Sequence, residues 1–379
     1  MGEKDLLNER RRLFNNAFSM EHNERVPLFS NFWTWKMLDS EYPLRQSLSD
    51  YDLLEKLVSD FQERYQFDSH FDLGTRNPIR VVNALGTEGF HQIDDENNCL
   101  AVSDHQIMEA SEYRDYVNNP TAFFYTKAFA RYCPDLTTKQ LNAAVKEYRK
   151  FTAFSQRITK KFAEDYQCVP VSPYYLKEPF EYFFTALRGI KGMSMDIRRN
   201  SGDLLEALDA IYETIMLPGI ERVLKIDTSP YLGDAYTSFM GWSILNEKQF
   251  DKFYWPYFIR VFSKMLENDK KLFLMSEATL LRFADHFDDI PKGRLMVQLE
   301  QDDIFAVRKR LPNMSIAGGM SPELLGRGTP DECVAYTKKL IDELGNGFVL
   351  SQTKMMSYAS DCKRENLLAV NNFALNYRT

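Results

Sequence analysis

Two glutamates stand just after strongly apolar runs. Glu277 follows Leu272–Met275 and Ser276, and Glu300 follows Leu295–Leu299. A carboxylate placed there leaves a buried strand for a polar loop, where it can act as a base, bind a cation, or pair with a neighbour such as Arg282. Asp303 lies three residues beyond Glu300, and two carboxyl groups held close together split their pKa values into acid and base roles. Its neighbour Asp302 reads instead as complementing a helix N-terminus. Lys354 follows a third apolar run, Phe348–Leu350, through Ser351-Gln352-Thr353. Its ammonium could pair with Glu277, bind an anionic group, or reach out to solvent. Glu277, Glu300, Asp303 and Lys354 are thus the catalytic candidates, and Gln352 is a substrate-binding candidate on the same segment. Trp33, Trp35, Tyr174, Tyr175 and Tyr236 offer an aromatic pocket wall. Gly318-Gly319 allows a tight turn that leaves backbone N–H groups free. His286 reads as structural, while His70 lies nearer a strand end and is a further candidate.

Those groups need a scaffold that brings strand ends together. The runs Leu272–Met275, Leu295–Leu299, Met314–Ala317 and Phe348–Leu350 alternate with helical patterns, which is the repeat of a parallel β/α sheet. Earlier strands are expected at Arg25–Phe29, Phe67–Leu73, Val169–Ser172 and somewhere in Ser229–Tyr236, giving eight. Residues 3–20, within an N-terminal extension of 1–24, form an amphipathic helix capping the barrel from below, with Arg10-Arg11-Arg12 as a solvated face. Ser49 to Arg64 reads as helix. Gly89–Ile93 and Cys99–Val102 form a hairpin around an acidic turn. Residues 106–166 are a helical insertion within a single domain spanning 1–379. Asp203–Ile226 keeps a period near 3.6. Asn246 with Gln249 opens a helix that Pro256 kinks or restarts. Ser321-Pro322 and Thr329-Pro330-Asp331-Glu332 are two more helix starts.

Composition narrows the function classes. With 44% hydrophobic residues among 379, the chain can bury a large interior. A net charge of −7 argues against a protein that grips nucleic acid phosphates. Five scattered cysteines without a C-x-x-C pair suit a reducing cytoplasm rather than a disulfide frame or zinc knuckle. No apolar window is long enough for a membrane span. G-x-G-x-x-G, P-loop, G-x-S-x-G and H-E-x-x-H patterns are absent, so dinucleotide, nucleotide and serine-hydrolase chemistries gain no support.

Several segments resemble the uroporphyrinogen decarboxylase superfamily: Arg25-Val26-Pro27, Ala84-Leu85-Gly86, Pro179-Phe180, Leu187-Arg188-Gly189 with Asp196, the helix Phe250–Pro256, Ile316–Pro322 with Gly328-Thr329-Pro330, and Gly347–Ser351 with Glu365-Asn366-Leu367. The likeness covers nearly the whole chain and implies a (β/α)8 TIM barrel. It also implies one of two chemistries, porphyrinogen decarboxylation or corrinoid-linked methyl transfer. The decarboxylases carry an arginine-rich first loop that pairs with substrate carboxylates. Here residues 32–42 contain no arginine and two tryptophans. The family's catalytic aspartate falls on Asn77, leaving Asp72 as the nearest carboxylate and a substrate-binding candidate. The methyltransferases hold zinc through His-x-Cys and a later cysteine. Those places are Met275-Ser276-Glu277 and Lys354, so the zinc motif is absent and no metal ligand is assigned.

The resulting expectation is a cytoplasmic barrel enzyme nearer the methyltransferase branch. It would move a methyl group between a small methylated substrate and a corrinoid (cobalamin) carried by a partner protein, with no cofactor bound directly and homodimerisation open. A decarboxylase or lyase acting on a small carboxylate or tetrapyrrole, anchored by Lys354, is the runner-up. A non-catalytic corrinoid- or tetrapyrrole-binding protein is the third reading.

Overall fold

Parallel strands must return through crossovers, and helices supply them throughout the second half of the chain. The computed structural model describes residues 3–87, 91–104 and 106–379. Two short strands, β1 (Phe29–Ser30) and β2 (Ser69–His70), pair in parallel. A hairpin follows, β3 (His91–Asp94) against β4 (Cys99–Val102). Of the residues expected in that hairpin, Gly89 and Phe90 lie outside the described residues. Then come β5 (Ala235–Phe239), β6 (Leu272–Ser276), β7 (Leu295–Leu299), β8 (Ser315–Met320) and β9 (Phe348–Gln352), a five-stranded parallel sheet in chain order.

Single parallel bridges extend these pairings. Leu28 bridges Leu350, Ser69 bridges Val169, and Tyr175 bridges Tyr236. The stretch expected as a third strand at Val169–Ser172 makes one bridge, at Val169, without forming a regular ladder. Pro170 removes one donor within it and Pro173 another just after it, which accounts for the gap. The strand expected somewhere in Ser229–Tyr236 begins only at Ala235.

The sheet's two faces divide the apolar residues. On one, Phe14, Ala17 and Phe18 of the first helix (Glu3–Ser19) pack with Phe29, Phe273, Met275, Met296, Ala317 and Val349. On the other, Leu272, Leu274, Val297, Ile316 and Leu350 join the large cluster shared with the crossover helices. Alternation along each strand produces this split.

Several helix boundaries follow from caps. Asp50 accepts from the N–H groups of Asp52 and Leu53, so that helix begins at Tyr51. Asn246 with Gln249 and Thr329 with Glu332 form reciprocal capping boxes. Before Pro256 the chain breaks at Tyr254 and restarts as Trp255–Glu267. The insertion is largely helical, ending in the long helix Thr138–Glu164.

The basic run is not wholly a solvated face. Arg10 is buried, pairs with Asp68 at 2.8 Å and donates to the carbonyls of Tyr166 and Gln167. Arg25 joins the same buried carboxylate at 2.8 Å. A buried carboxylate survives only with such partners, and one arginine of the run is spent on it.

Candidate active site

Side chains two apart on a strand share a face, so the residues above the inward-facing Met275 and Met296 can be counted off. Glu277 follows Met275 on β6, and Gln298 and then Glu300 follow Met296 on β7. Tyr236 and Ser238 share one face of β5. The ladder continues past the strand ends: the Glu277 N–H donates to Phe239 O at 2.9 Å and the Glu300 N–H to Ser276 O at 3.1 Å. Both glutamates therefore leave the sheet side by side at its C-terminal edge.

Aromatic rings run beside them. Tyr175 stacks on Tyr236 with centroids 4.7 Å apart, and Phe71 meets Tyr236 edge-on at 5.7 Å. The Tyr175 hydroxyl lies 2.9 Å from Ser238 Oγ. Arg76, itself exposed, places its guanidinium 4.7 Å from the Phe71 ring centre and 5.8 Å from that of Trp33.

The electrostatics match this crowding. Burial, then the charge of Glu181, pushes the Glu277 carboxyl up to about 7, with Arg76 opposing. Burial, then the charge of Glu277, pushes Glu300 up to about 8, against a Met355 N–H and Lys354. Both side chains are walled by protein on most sides and only partly exposed, as in a cleft. Repulsion between two carboxylates is mutual, so their protons leave in steps that belong to the pair. At neutral pH the pair holds a proton that isolated glutamates would have lost.

Beneath the mouth lies a buried polar layer. Gln352 Oε1 accepts from Asn31 N at 2.8 Å, and Gln352 O accepts from Gln298 Nε2 at 2.6 Å. The Gln298 side chain thus crosses β8 where Gly318 and Gly319 stand, both at positive φ. A Cβ on Gly318 would lie 3.6 Å from Gln298 Nε2 and 3.0 Å from Leu299 O. The Asn31 side chain and Gln298 Oε1 are buried without a partner.

Other candidates fall elsewhere. Asp303 caps the helix Ile304–Arg310, its carboxylate accepting from Phe305 and Ala306 N–H groups, so it is not brought into the pair. Asp302 accepts from Leu280 and Leu281, capping the neighbouring turn of helix rather than its own. Trp35 is core: it packs on Phe32, Phe61 and Tyr65 and donates to Cys362 O at 3.1 Å. Of two adjacent tyrosines, Tyr175 joins the mouth, whereas Tyr174 packs at Gly219 and Arg222. Asp72 is buried and turns the loop after β2 by accepting from Gly74 and Thr75. Lys354 lies 3.4 Å from Asp361 and over Tyr358, yet stays close enough to Glu300 for its charge to oppose the rise there. His70 hydrogen-bonds Gln62 at 2.7 Å, and burial holds its pKa well below the ordinary value. His286 pairs with Asp251 at 2.6 Å, as suits a structural residue.

Phe71, Arg76 and Glu181 were not singled out from sequence. Phe71 shares a face with Ser69, so strand parity could have found it. Glu181 accepts at one oxygen from Met240 N, Gly241 N and Tyr254 Oη, at 2.6–2.8 Å. That buried carboxyl is held high by desolvation, and it comes from a helix start that carries no strand signal.

The donor set does not suit zinc. Met275, Glu277 and Lys354 supply a thioether, one carboxylate and an ammonium that is an ion-pair donor, not a lone-pair donor. Among the described residues no three His, Cys, Asp or Glu side chains gather as a metal cage.

Neither a protein-family model nor a curated protein matches this chain. Among solved structures it is similar to a methyltransferase from Methanosarcina mazei, with a TM-score of 0.60 and 15% identity, over 96% of this chain and 98% of that one. At that identity the likeness establishes a shared mixed α/β fold.

Proposed function

We propose that the chain is a (β/α)8-barrel methyltransferase of the uroporphyrinogen decarboxylase superfamily. It would move a methyl group between a small methylated substrate and a corrinoid protein docked over the strand ends. Barrel closure is supported by the Leu28–Leu350, Ser69–Val169 and Tyr175–Tyr236 bridges, which link the two-stranded and five-stranded sheets in one direction around. The resemblance of the segments quoted above to the superfamily and the solved methyltransferase's similar fold support the class, although the key catalytic and zinc positions differ.

One observation carries the reading: Glu277 and Glu300, with shared protons near neutrality, face an aromatic wall at the C-terminal edge of the sheet. That edge is where barrel enzymes keep their chemistry. A reduced corrinoid bound there would supply the nucleophile that accepts the methyl group. The fit is a rim of exposed apolar side chains, Tyr175 (37%), Met240 (37%) and Tyr358 (46%), close to the strand ends. Phe71, Tyr175 and Tyr236 would hold the donor and exclude water. The carboxyl pair would adjust its protonation to the charge the donor brings.

Mixing the protein with reduced corrinoid protein and a panel of methyl donors should change the corrinoid absorption spectrum for at least one donor. A panel spanning amines, ethers, thioethers and onium compounds that leaves the spectrum unchanged would sink the proposal.

A further inference from the structure

The mouth already holds a cation of its own. The Arg76 guanidinium lies over Phe71 and Trp33 at 4.7 and 5.8 Å, and among the described residues it makes no ion pair within 4 Å. Guanidinium groups usually seek carboxylates; this one rests on ring faces instead. Phe71 continues edge-on into Tyr236, and Tyr236 stacks on Tyr175, so three rings form one continuous surface, to which Trp33 is joined through Arg76. Ring faces carry partial negative charge and attract cations that shed water easily. Glu277 stands beside this surface and Glu300 beside Glu277, supplying counter-charge within a wall of low polarity.

We infer that the mouth's ligand is an organic cation with methyl groups on its charged atom, a quaternary ammonium or tertiary sulfonium, taken up beside or in place of Arg76 on the Phe71–Tyr236–Tyr175 surface. The inference rests on the methyltransferase reading and names its substrate class. Such a donor suits the residues present. On transfer the carbon–nitrogen or carbon–sulfur bond would break with its electron pair kept by the heteroatom, and the methyl carbon would pass to the nucleophile that a corrinoid would supply. The leaving group departs neutral and needs no proton. Binding the cation displaces the pair's proton to solvent; once the product is neutral the pair takes that proton back, which weakens the grip on the product.

Calorimetric titration with choline and with its uncharged tert-butyl isostere tests the assignment without requiring turnover. Choline should bind at least about tenfold more tightly than the isostere, a margin cation–π contact and counter-charge can supply together. Arg76→Met, which vacates the ring faces, should strengthen choline binding several-fold. Tyr236→Leu should weaken it about tenfold, while Tyr236→Phe should keep it and thereby control for misfolding. Equal affinity for choline and isostere, or loss of choline binding in Arg76→Met, overturns the inference. The two proposals fail separately. Selective choline binding with no donor ever methylating a corrinoid removes the methyltransferase reading and leaves the cation site. Methyl transfer from neutral ethers with no choline binding does the reverse.

Discussion

Replacing Glu300 with glutamine should make the protein more stable, and only at high pH. The Glu300 carboxyl is raised from 4.5 to about 8 by burial and by the charge of Glu277. Between those values the folded state binds a proton that the unfolded chain has released. Stability therefore falls as pH rises through this window, fully intact below 4.5 and fully reduced above 8. At 1.36 kcal/mol per unit the ceiling is about 5 kcal/mol. The carboxyl is partly exposed to solvent and shares its proton with Glu277, so about 2 kcal/mol is the expected size. Glu300→Gln keeps the shape and removes the charge. Urea midpoints or thermal midpoints at pH 9 should rise by the equivalent of that amount, a few degrees for a chain of this size, and at pH 4, below the window, they should change little. Loss of stability at pH 9, or an equal change at both pH values, would refute the claim that this carboxyl is held against its own solvation. A gain in stability with a loss of methyl transfer would mark a site that sacrifices stability for chemistry.

Three further outcomes are expected. Asp196 pairs with Arg188 at 2.6 Å and accepts from Tyr113 at 2.7 Å in full burial, so Asp196→Asn should lower stability by about 3–5 kcal/mol in urea unfolding. Gly319 sits at φ +102 with a Leu340 methyl 2.7 Å from where a Cβ would stand. Gly319→Ala should therefore lose clearly more in thermal midpoint than Gly345→Ala, where φ is +59 and nothing lies within 4 Å. The buried Lys36 ammonium is held down to about 8, chiefly by desolvation, and donates to Asp72 O. Wild-type stability should climb from pH 8 to 10.5 on this account, and Lys36→Met should flatten that climb in urea midpoints taken across the range.

The late strands were legible because each is an apolar run between polar stops. Leu295–Leu299 coincides with β7, and β6, β8 and β9 each reach beyond the apolar residues into Ser276, Gly318–Met320 or Ser351-Gln352. Those extra residues are held by ladder bonds that a hydrophobicity pattern does not carry. The stretch after Cys168 was harder, since its prolines break the ladder and with it the parity that separates Tyr174 from Tyr175. Trp35 looked like a pocket residue beside Trp33, but the helix turn at Trp35–Leu38 sends it backward into the core. Glu277 and Glu300 were visible as strand-end carboxylates. Arg76 was not, because its role depends on Trp33 and Phe71, rings from separate stretches of the chain that only the fold brings under it.

The buried ionic group around Asp68 has a bearing on the order of assembly. Arg10 binds residues 68, 166 and 167, and the carbonyls of Ala17 and Phe18 accept from Ser315 Oγ at 2.8 and 2.7 Å. During synthesis the helix Glu3–Ser19 emerges well before Ser315, a partner that locks it and lies some 300 residues later in the chain. Until then its apolar stripe, with Leu13, Phe14 and Phe18, has no finished surface to lie on. This helix is thus among the last pieces to be fastened, held in place only once the strand at Ser315 has formed.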